Sequence, residues 1–281
     1  MIIAQITDLH IGFGGPDVEC MNSKRLKLVI DEMNGMVQRP DLILVTGDLV
    51  ESGESWAYEK LKDALSNLDY PLYYAMGNHD NREVFGRVFP DAEFNDGFLQ
   101  YTIEDAGPVR VIVLDTLKNG FHGGEFCERR RAWLDKTLAE QPDRPTFIAL
   151  HHPPIETGIA WMTAKFKAPW VVALRETIEK YDNVVHVCAG HVHRTIFKKF
   201  GNTTISVCRA VAPQVKLELA PITIDMPDDR ILLVDTLPGY SLHHWNGERL
   251  TTHSANAPSG KAVVRYDDAH AYVVRHTLDM E

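Results

Sequence analysis

Apolar runs of this 281-residue sequence repeatedly end in aspartate, histidine or asparagine, which are side chains that bind metal ions and move protons. One such residue alone is more often a buried structural group than a ligand. The repetition favours function, because strand ends in an open α/β sheet converge on one edge and build its sites there. The sequence therefore predicts one metal or catalytic site from Asp8, His10, Asp48, Asn78, His79, His151, His191 and His193.

The residue types favour two metal ions at this site. Imidazole and carboxylate suit Zn, Fe, Mn or Co, and the scattered cysteines lack the spacing of a thiolate zinc site. Asp8 and His10 would lie on the same side of an extended chain and can reach one ion. His191 and His193 have the same spacing, but neighbouring ions could also share them. Asp48 is the natural candidate for a carboxylate that bridges two metals about 3.5 to 4 Å apart.

The elements that must position these residues alternate between strand and helix. Apolar runs predict strands at Ile2–Thr7, Leu42–Val45 and Pro71–Gly77, and residues at helical spacing predict a helix in each interval. This order is typical of parallel crossover units. The turn signal Gly107-Pro108 predicts an antiparallel pair, 98–104 with 109–114, that joins the parallel set.

Beyond His193 the sequence predicts short strands separated by Asn, Gly, Pro and Asp, with no further ligand cluster. These candidate strands include Leu217–Ile224, Ile231–Val234 and Ala262–Tyr266. We therefore divide the chain into a core at 1–208, a cap or dimerisation segment at 209–258, and C-terminal strands that return to the core at 259–281.

Composition excludes several other classes of protein. The hydrophobic fraction of 44% allows a sizeable core, and the formal net charge of -10 argues against binding a nucleic acid polymer. No apolar run approaches the roughly 20 residues needed to span a bilayer, so we expect no membrane association. Met1 leads directly into a strand-like run without a signal region, which predicts a cytoplasmic protein with free thiols.

The motifs together resemble those of the calcineurin-like metallophosphoesterases over about residues 1–200. They are Asp8-Leu9-His10, Gly47-Asp48, Gly77-Asn78-His79-Asp80, His151-His152 and Gly190-His191-Val192-His193. The resemblance is closest to the bacterial branch that contains class III cyclic nucleotide phosphodiesterases and glycerophosphodiesterases. It implies an α/β fold, a four-layer α/β/β/α sandwich, here followed by a β-rich C-terminal cap or dimerisation segment.

The same resemblance implies a division of the ligands between two divalent or Fe-type ions. One ion would be held by Asp8, His10, Asp48 and His193, and the other by Asp48, Asn78, His151 and His191. His151 rather than His152 matches the family ligand. His79 is not a ligand in the family pattern, which leaves it as the candidate catalytic residue that protonates or stabilises the leaving group.

Four further residues are candidates for supporting or substrate-facing roles. Asp80 would orient His79 or close its turn, and His152 would support a ligand or face substrate. Asp115 ends another strand and is expected to support the site or cap a turn. His122 is either substrate-facing or a solvated loop histidine. Substrate choice is expected to depend on the segments 11–22 and 155–167 and on the tail.

The function predicted from the residues and the resemblance is a metal-dependent phosphodiesterase in which a metal-bound hydroxide attacks small phosphodiesters. A 3′,5′-cyclic nucleotide or a glycerophosphodiester is the leading substrate. A phosphomonoesterase of the same fold is the nearest alternative, and a nuclease or a non-catalytic scaffold is less favoured. We expect a small-molecule partner only, and a homodimer or higher homo-oligomer.

Overall fold

The structure is a computed structural model that describes residues 1–278. Strands and helices alternate along the first two thirds of the chain, and strands dominate the remainder. In chain order they are β1 Ile2–Ile6, α1 Met21–Asn34, β2 Leu42–Thr46, α2 Ser55–Leu65, β3 Leu72–Ala75, α3 Arg82–Val88, β4 Tyr101–Ile103, β5 Arg110–Val113, α4 Glu128–Glu140, β6 Thr146–Ala149, α5 Pro169–Ile178, β7 Val184–Ala189, β8 Ile196–Phe200, β9 Thr203–Val207, β10 Gln214–Val215, β11 Leu233–Val234, β12 Gly239–Trp245, β13 Leu250–Asn256 and α6 Ala271–Leu278.

Two mixed sheets form the centre of the molecule. One has five strands in the order β13-β12-β1-β2-β3, and the other has six in the order β4-β5-β6-β7-β9-β8. In the first sheet β1, β2 and β3 run parallel, and in the second β5, β6, β7 and β9 do. The predicted antiparallel pair is confirmed, with Tyr101 of β4 opposite Val113 of β5. Each sheet therefore brings several strand ends to one edge.

Both faces of the central strands are covered, which explains their continuous apolar runs. Leu42 and Leu44 of β2 pack between the sheets in one cluster with Val111 and Val113 of β5. The intervening Ile43 packs in a second cluster with residues of α1 and α2. A third cluster joins β5 and β6 to α4 and α5. The layers are therefore helix, sheet, sheet and helix, as predicted.

The tail differs from the prediction in where its strands lie. No strand forms at Leu217–Ile224 or at Ala262–Tyr266, where Ile224 and Val263 are each 94% exposed and no neighbouring strand pairs with them. The prediction of C-terminal strands at 259–281 was wrong for 259–278, which contain α6 and no strand. Residues 279–281 lie outside the described residues.

The strands that return to the core are β12 and β13, inside the segment predicted as a cap. β12 lies antiparallel to β1, with His243 opposite Ile3. The buried face of β12 is polar, so its sequence lacks the apolar pattern of a core strand. The buried His243 ring pairs instead with Gln5 Oε1 at 3.2 Å and Thr252 Oγ1 at 2.9 Å. The boundary at 208 and a dimerisation role for 209–258 stay predictions. Within residues 1–278, no helix is both long and apolar enough to cross a membrane.

Candidate metal centre

Several predicted ligands have a left-handed backbone, which L-residues rarely adopt outside functional sites and turns. The φ angles are 52° at Asp8, 44° at His10, 47° at Asp48, 71° at His191 and 54° at His193. All of them lie within four residues of the end of β1, β2 or β7. The chain therefore turns sharply after each of these strands, and these side chains lie at the common edge of the sheets.

Backbone hydrogen bonds join the loops after β1 and β2 beneath the site. The amides of Leu9 and His10 both donate to the carbonyl of Asp48 at 2.9 Å. Across the sheets, the His191 amide lies 3.0 Å from both carboxylate oxygens of Asp8. The approach at Gly77 admits no side chain, because a Cβ there would overlap the backbone nitrogen of Asp48. These contacts hold ligands from both sheets within reach of one another.

The first group of ligand atoms comes from Asp8, His10, Asp48 and His193, of which the first three are buried and the His193 side chain is 12% exposed. His10 Nε2 lies 3.2 Å from His193 Nε2 and 3.6 Å from Asp48 Oδ2. His193 Nε2 lies 3.4 Å from Asp8 Oδ1. Two carboxylates and two imidazoles around one point match the set that the resemblance implies for one ion.

A second group lies on the other side of Asp48. It comprises His151, His152 and His191, whose candidate ligand atoms all lie within 4.8 Å of one another. His151 Nε2 is 3.3 Å from Asp48 Oδ2, which places Asp48 between the two groups. His152 is equally buried, and its Nδ1 lies 2.9 Å from the hydroxyl of Thr116. Proximity to Asp48 favours His151 as the ligand, with His152 behind it.

In three of the candidate ligand histidines, Nδ1 already lies within hydrogen-bond distance of an oxygen, which leaves Nε2 for a metal. Nδ1 lies 2.7 Å from the Thr46 carbonyl in His151, 2.8 Å from the Pro213 carbonyl in His193 and 2.8 Å from Glu51 Oε2 in His10. His151 Nε2 and Asn78 Oδ1 are buried without a hydrogen-bond partner among the described residues. Orphaned buried ligand atoms of this kind fit a metal ion.

The electrostatics of the cluster also favour a bound cation. Burial alone would raise the pKa of Asp48, but His151 and His10 outweigh it and hold that pKa well below its usual value. Burial would lower the pKa of His151, yet Asp48 and Asp8 raise it to about 9. The pKa of His191 is well below its usual value because of burial and the neighbouring His151. The buried carboxylates therefore require positive charge nearby, and His191 is in the neutral form that binds metals.

His79 and Asp80, which follow Asn78, have different surroundings. His79 Nδ1 lies 2.7 Å from the carbonyl of Glu51, and its ring contacts that of His10 edge-on at 4.6 Å. The Asp80 carboxylate accepts hydrogen bonds from the Gly77 amide at 2.9 Å and the Tyr58 hydroxyl at 3.0 Å. Burial and Asp48 raise the pKa of Asp80 to about 7. Of the two predicted roles for Asp80, these contacts favour closing the turn.

The remaining two candidates, Asp115 and His122, differ in burial. Asp115 is fully buried and accepts two 2.7 Å hydrogen bonds from Arg82 and a 2.9 Å bond from the Leu99 amide. It therefore fixes a loop and contributes no atom to the ligand groups. His122 is exposed and lines the cavity beside the cluster, with its ring 4.6 Å from that of His191. This position is consistent with the substrate-facing alternative.

Glu51, whose carboxylate contacts His10, was not predicted from the sequence as a site residue. A signal was present, because Glu51 is the next ionisable residue after Asp48 in the same loop. A cavity of about 230 Å³ opens beside the ligands. Its lining also includes residues of the segments 11–22 and 155–167 and of the tail, among them Val215 of β10 and Leu233 of β11, and these are the parts of the chain expected to affect substrate choice.

The chain is similar in sequence to proteins named as phosphodiesterases. A probable glycerophosphodiester phosphodiesterase of Arcobacter nitrofigilis is 31% identical over 264 residues, which cover 91% of this chain and 93% of the relative. A probable cyclic nucleotide phosphodiesterase of Rhodopseudomonas palustris is 34% identical, covering 76% of this chain and 79% of the relative.

The fold itself recurs in a solved structure of a dimetal phosphatase from Danio rerio. The two share a TM-score of 0.65 and 14% sequence identity, covering 91% of this chain and 96% of that one. The family model described as calcineurin-like phosphoesterase matches residues 1–195, which contain every candidate ligand. With its two sheets, its Asp and His clusters and these relatives, the chain belongs to the calcineurin-like phosphoesterase family.

Proposed function

We propose that this chain is a metal-dependent phosphodiesterase that hydrolyses small phosphodiesters, with a 3′,5′-cyclic nucleotide or a glycerophosphodiester as substrate. The observation that carries the proposal is the convergence of Asp8, His10, Asp48 and His193 with His151 and His191 beside an open cavity. The names of the relatives support the same class of reaction.

Asp8, His10, Asp48 and His193 would hold one divalent ion, and Asp48, Asn78, His151 and His191 the other. Mn, Fe, Zn or Co suits these ligands. Bound ions supply Lewis acidity, acidify coordinated water and neutralise phosphoryl charge. His79, fixed through Nδ1 by the Glu51 carbonyl, keeps Nε2 for the oxygen of the leaving group and protonates it there.

The charges around the cavity favour a diester over a monoester. No lysine or arginine of residues 1–278 lines the cavity. Arg82, which follows Asn78 by four residues in the sequence, forms an ion pair with Asp115 and also donates to the Leu117 carbonyl at 2.7 Å. A monoester carries more negative charge than a diester and would need such groups.

The deciding experiment compares hydrolysis of bis(p-nitrophenyl) phosphate and p-nitrophenyl phosphate by metal-reconstituted protein. We expect faster turnover of the diester, and parallel loss of bound metal and activity in Asp48→Asn. Asp63→Asn, which changes an exposed aspartate of α2, is the matched control and retains both. A strong preference for the monoester would instead establish a phosphomonoesterase. Metal-loaded protein without activity on any diester would indicate a scaffold.

A cytoplasmic homo-oligomer remains part of the proposal. The segment between β10 and β11 supports self-association, because it exposes the large apolar side chains of Leu219, Ile224, Met226 and Ile231. Sedimentation of the purified chain tests the oligomer, and a strictly monomeric protein would contradict it.

A further inference from the structure

We infer that the cavity beside the metal centre binds one ester group of the diester, and that it selects a flat, uncharged aromatic group, either an aryl ring or a nucleobase. The inference rests on the proposed function, since it concerns the organic part of the same substrate. It goes beyond that function by choosing between aromatic and polyol esters.

The cavity contains both metal-centre residues and a group of apolar side chains, which we call the apolar wall. The lining of the cavity includes His10, Asp48, His191 and His193 of the metal centre. It also includes the apolar side chains that form the apolar wall, namely Phe13, Met21, Trp161, Met162, Val215 and Leu233. A phosphodiester held at the metal centre therefore places an ester group against the apolar wall.

This wall offers few free polar groups. Asn22, also in the lining, is only 2% exposed, and its Nδ2 donates to the His10 carbonyl at 3.0 Å. Its Oδ1 has no hydrogen-bond partner among the described residues but is itself buried. The carbonyl of Ala212 accepts from Gln214 at 2.9 Å, and that of Pro213 pairs with His193 at 2.8 Å. Apart from Glu51, His79 and His122, which also line the cavity, glycerol hydroxyls entering here would find few partners in exchange for the water they lose, which disfavours binding. A flat apolar ring carries no such cost.

The aromatic residues of the wall are suited to stacking. Phe13 is 54% exposed and Leu233 52% exposed, so a ring packed against either side chain would remove apolar surface from water. Trp161 is half-buried and adds a large flat surface to the same cavity. Aromatic pairs contribute beyond the burial of area alone. The wall therefore favours an aromatic ester over an aliphatic one.

The test uses inhibition constants of metal-loaded protein for ligands of equal charge. Phenylphosphonate should inhibit about tenfold more tightly than methylphosphonate, the effect of one stacked ring. The same comparison of 5′-AMP with ribose 5-phosphate distinguishes a nucleobase from a simple aryl ring. Trp161→Ala and Phe13→Ala should each reduce the aromatic preference severalfold. Phe197→Ala removes a ring that is 57% exposed outside the cavity and should retain the full preference.

Equal inhibition by phenyl and methyl phosphonates, or an aromatic preference that survives both substitutions, would overturn the subsite. A preference for phenyl without one for 5′-AMP would exclude the nucleobase and retain the aryl ligand. Diester hydrolysis without aromatic preference would refute the subsite and leave the proposed function intact. Aromatic preference in a protein that hydrolyses no diester would refute the function and leave the subsite intact.

Discussion

Glu51 Oε2 lies 2.8 Å from Nδ1 of His10, so a carboxylate supports this imidazole while the backbone supports His151 and His193. Glu51 is half-buried, and its pKa is lowered because His10 and His79 outweigh the effect of burial. A carboxylate behind a ligand imidazole fixes its tautomer and raises the basicity of the other nitrogen. Glu51 is therefore placed to strengthen the binding of the ion that His10 would hold.

Glu51→Gln should weaken metal binding at that position by about 10- to 100-fold, the usual effect of removing such a partner. Binding of the second ion should change much less, because its proposed ligands do not contact Glu51. Calorimetric titration of the metal-free protein with Mn²⁺ measures both affinities. Glu54→Gln alters an exposed glutamate of the same loop and is the matched control. Equal affinities in wild type and Glu51→Gln would contradict this role.

His79→Ala should retain both metals and lose turnover, because His79 lies beside the ligands without belonging to the proposed sets. The loss should reach about 100-fold or more for alkyl leaving groups, which need a proton. It should be smaller for p-nitrophenolate, which leaves without one. The measurements are kcat for both types of diester and metal content by elemental analysis. An equal loss for all leaving groups would instead assign His79 to phosphate binding.

Gln5 joins the two sheets beneath the metal centre. Its Nε2 donates to Thr46 Oγ1 at 2.8 Å and to the Ala189 carbonyl of the other sheet at 3.0 Å. Gln5→Leu removes both hydrogen bonds and the contact of Gln5 Oε1 with His243 Nε2, while the Ala189 carbonyl keeps only the Cys208 amide as a donor. The substitution should lower the free energy of unfolding by about 2 to 3 kcal/mol. Urea denaturation measures the change. Gln38→Leu, at an exposed position, should have little effect, and a similarly small change in Gln5→Leu would show that water replaces the amide.

The ends of β1, β2, β3, β6 and β7 were predictable from sequence because their signal is local. An apolar run such as 42–45 is buried on both faces and ends where Gly47 and Asp48 begin the turn. The candidate ligands follow such runs directly, so their order along the chain indicates the site. Their mutual distances depend on how two sheets pack together, which no local pattern contains.

The place of β12 beside β1 was missed because its pattern depends on remote partners. Ser241 and His243 are polar yet buried, and His243 finds its partner at Gln5, near the other end of the chain. The opposite error occurred at 262–266, where Val263 and Val264 resemble a strand but have no neighbouring strand. Polarity predicts exposure only where no distant residue satisfies the polar group.

A pair of buried histidines between the sheets predicts acid sensitivity that is separate from the metal centre. The rings of His186 and His243 lie 5.5 Å apart, and Phe147 contacts both. Their other partners, Ser206 and Thr252 among them, are uncharged. Burial lowers the pKa of His186 to about 4, and burial together with His186 holds that of His243 well below its usual value. Both residues are therefore neutral in the folded protein at neutral pH.

The His186 imidazole takes up a proton near pH 6.5 in the unfolded chain but only near pH 4 in the folded chain. Its contribution to the free energy of unfolding is therefore fully present above pH 6.5 and is lost as the pH falls from 6.5 to 4. His186→Gln should reduce the slope of unfolding free energy against pH in this window by up to about 1.4 kcal/mol per pH unit. Urea denaturation at several pH values measures the slope, and metal-site contributions cancel between variants. His253→Gln removes an exposed histidine of β13 and should leave the slope unchanged. An unchanged slope in His186→Gln would mean that His186 is protonated in the folded protein, since only a group that is neutral when folded adds acid sensitivity.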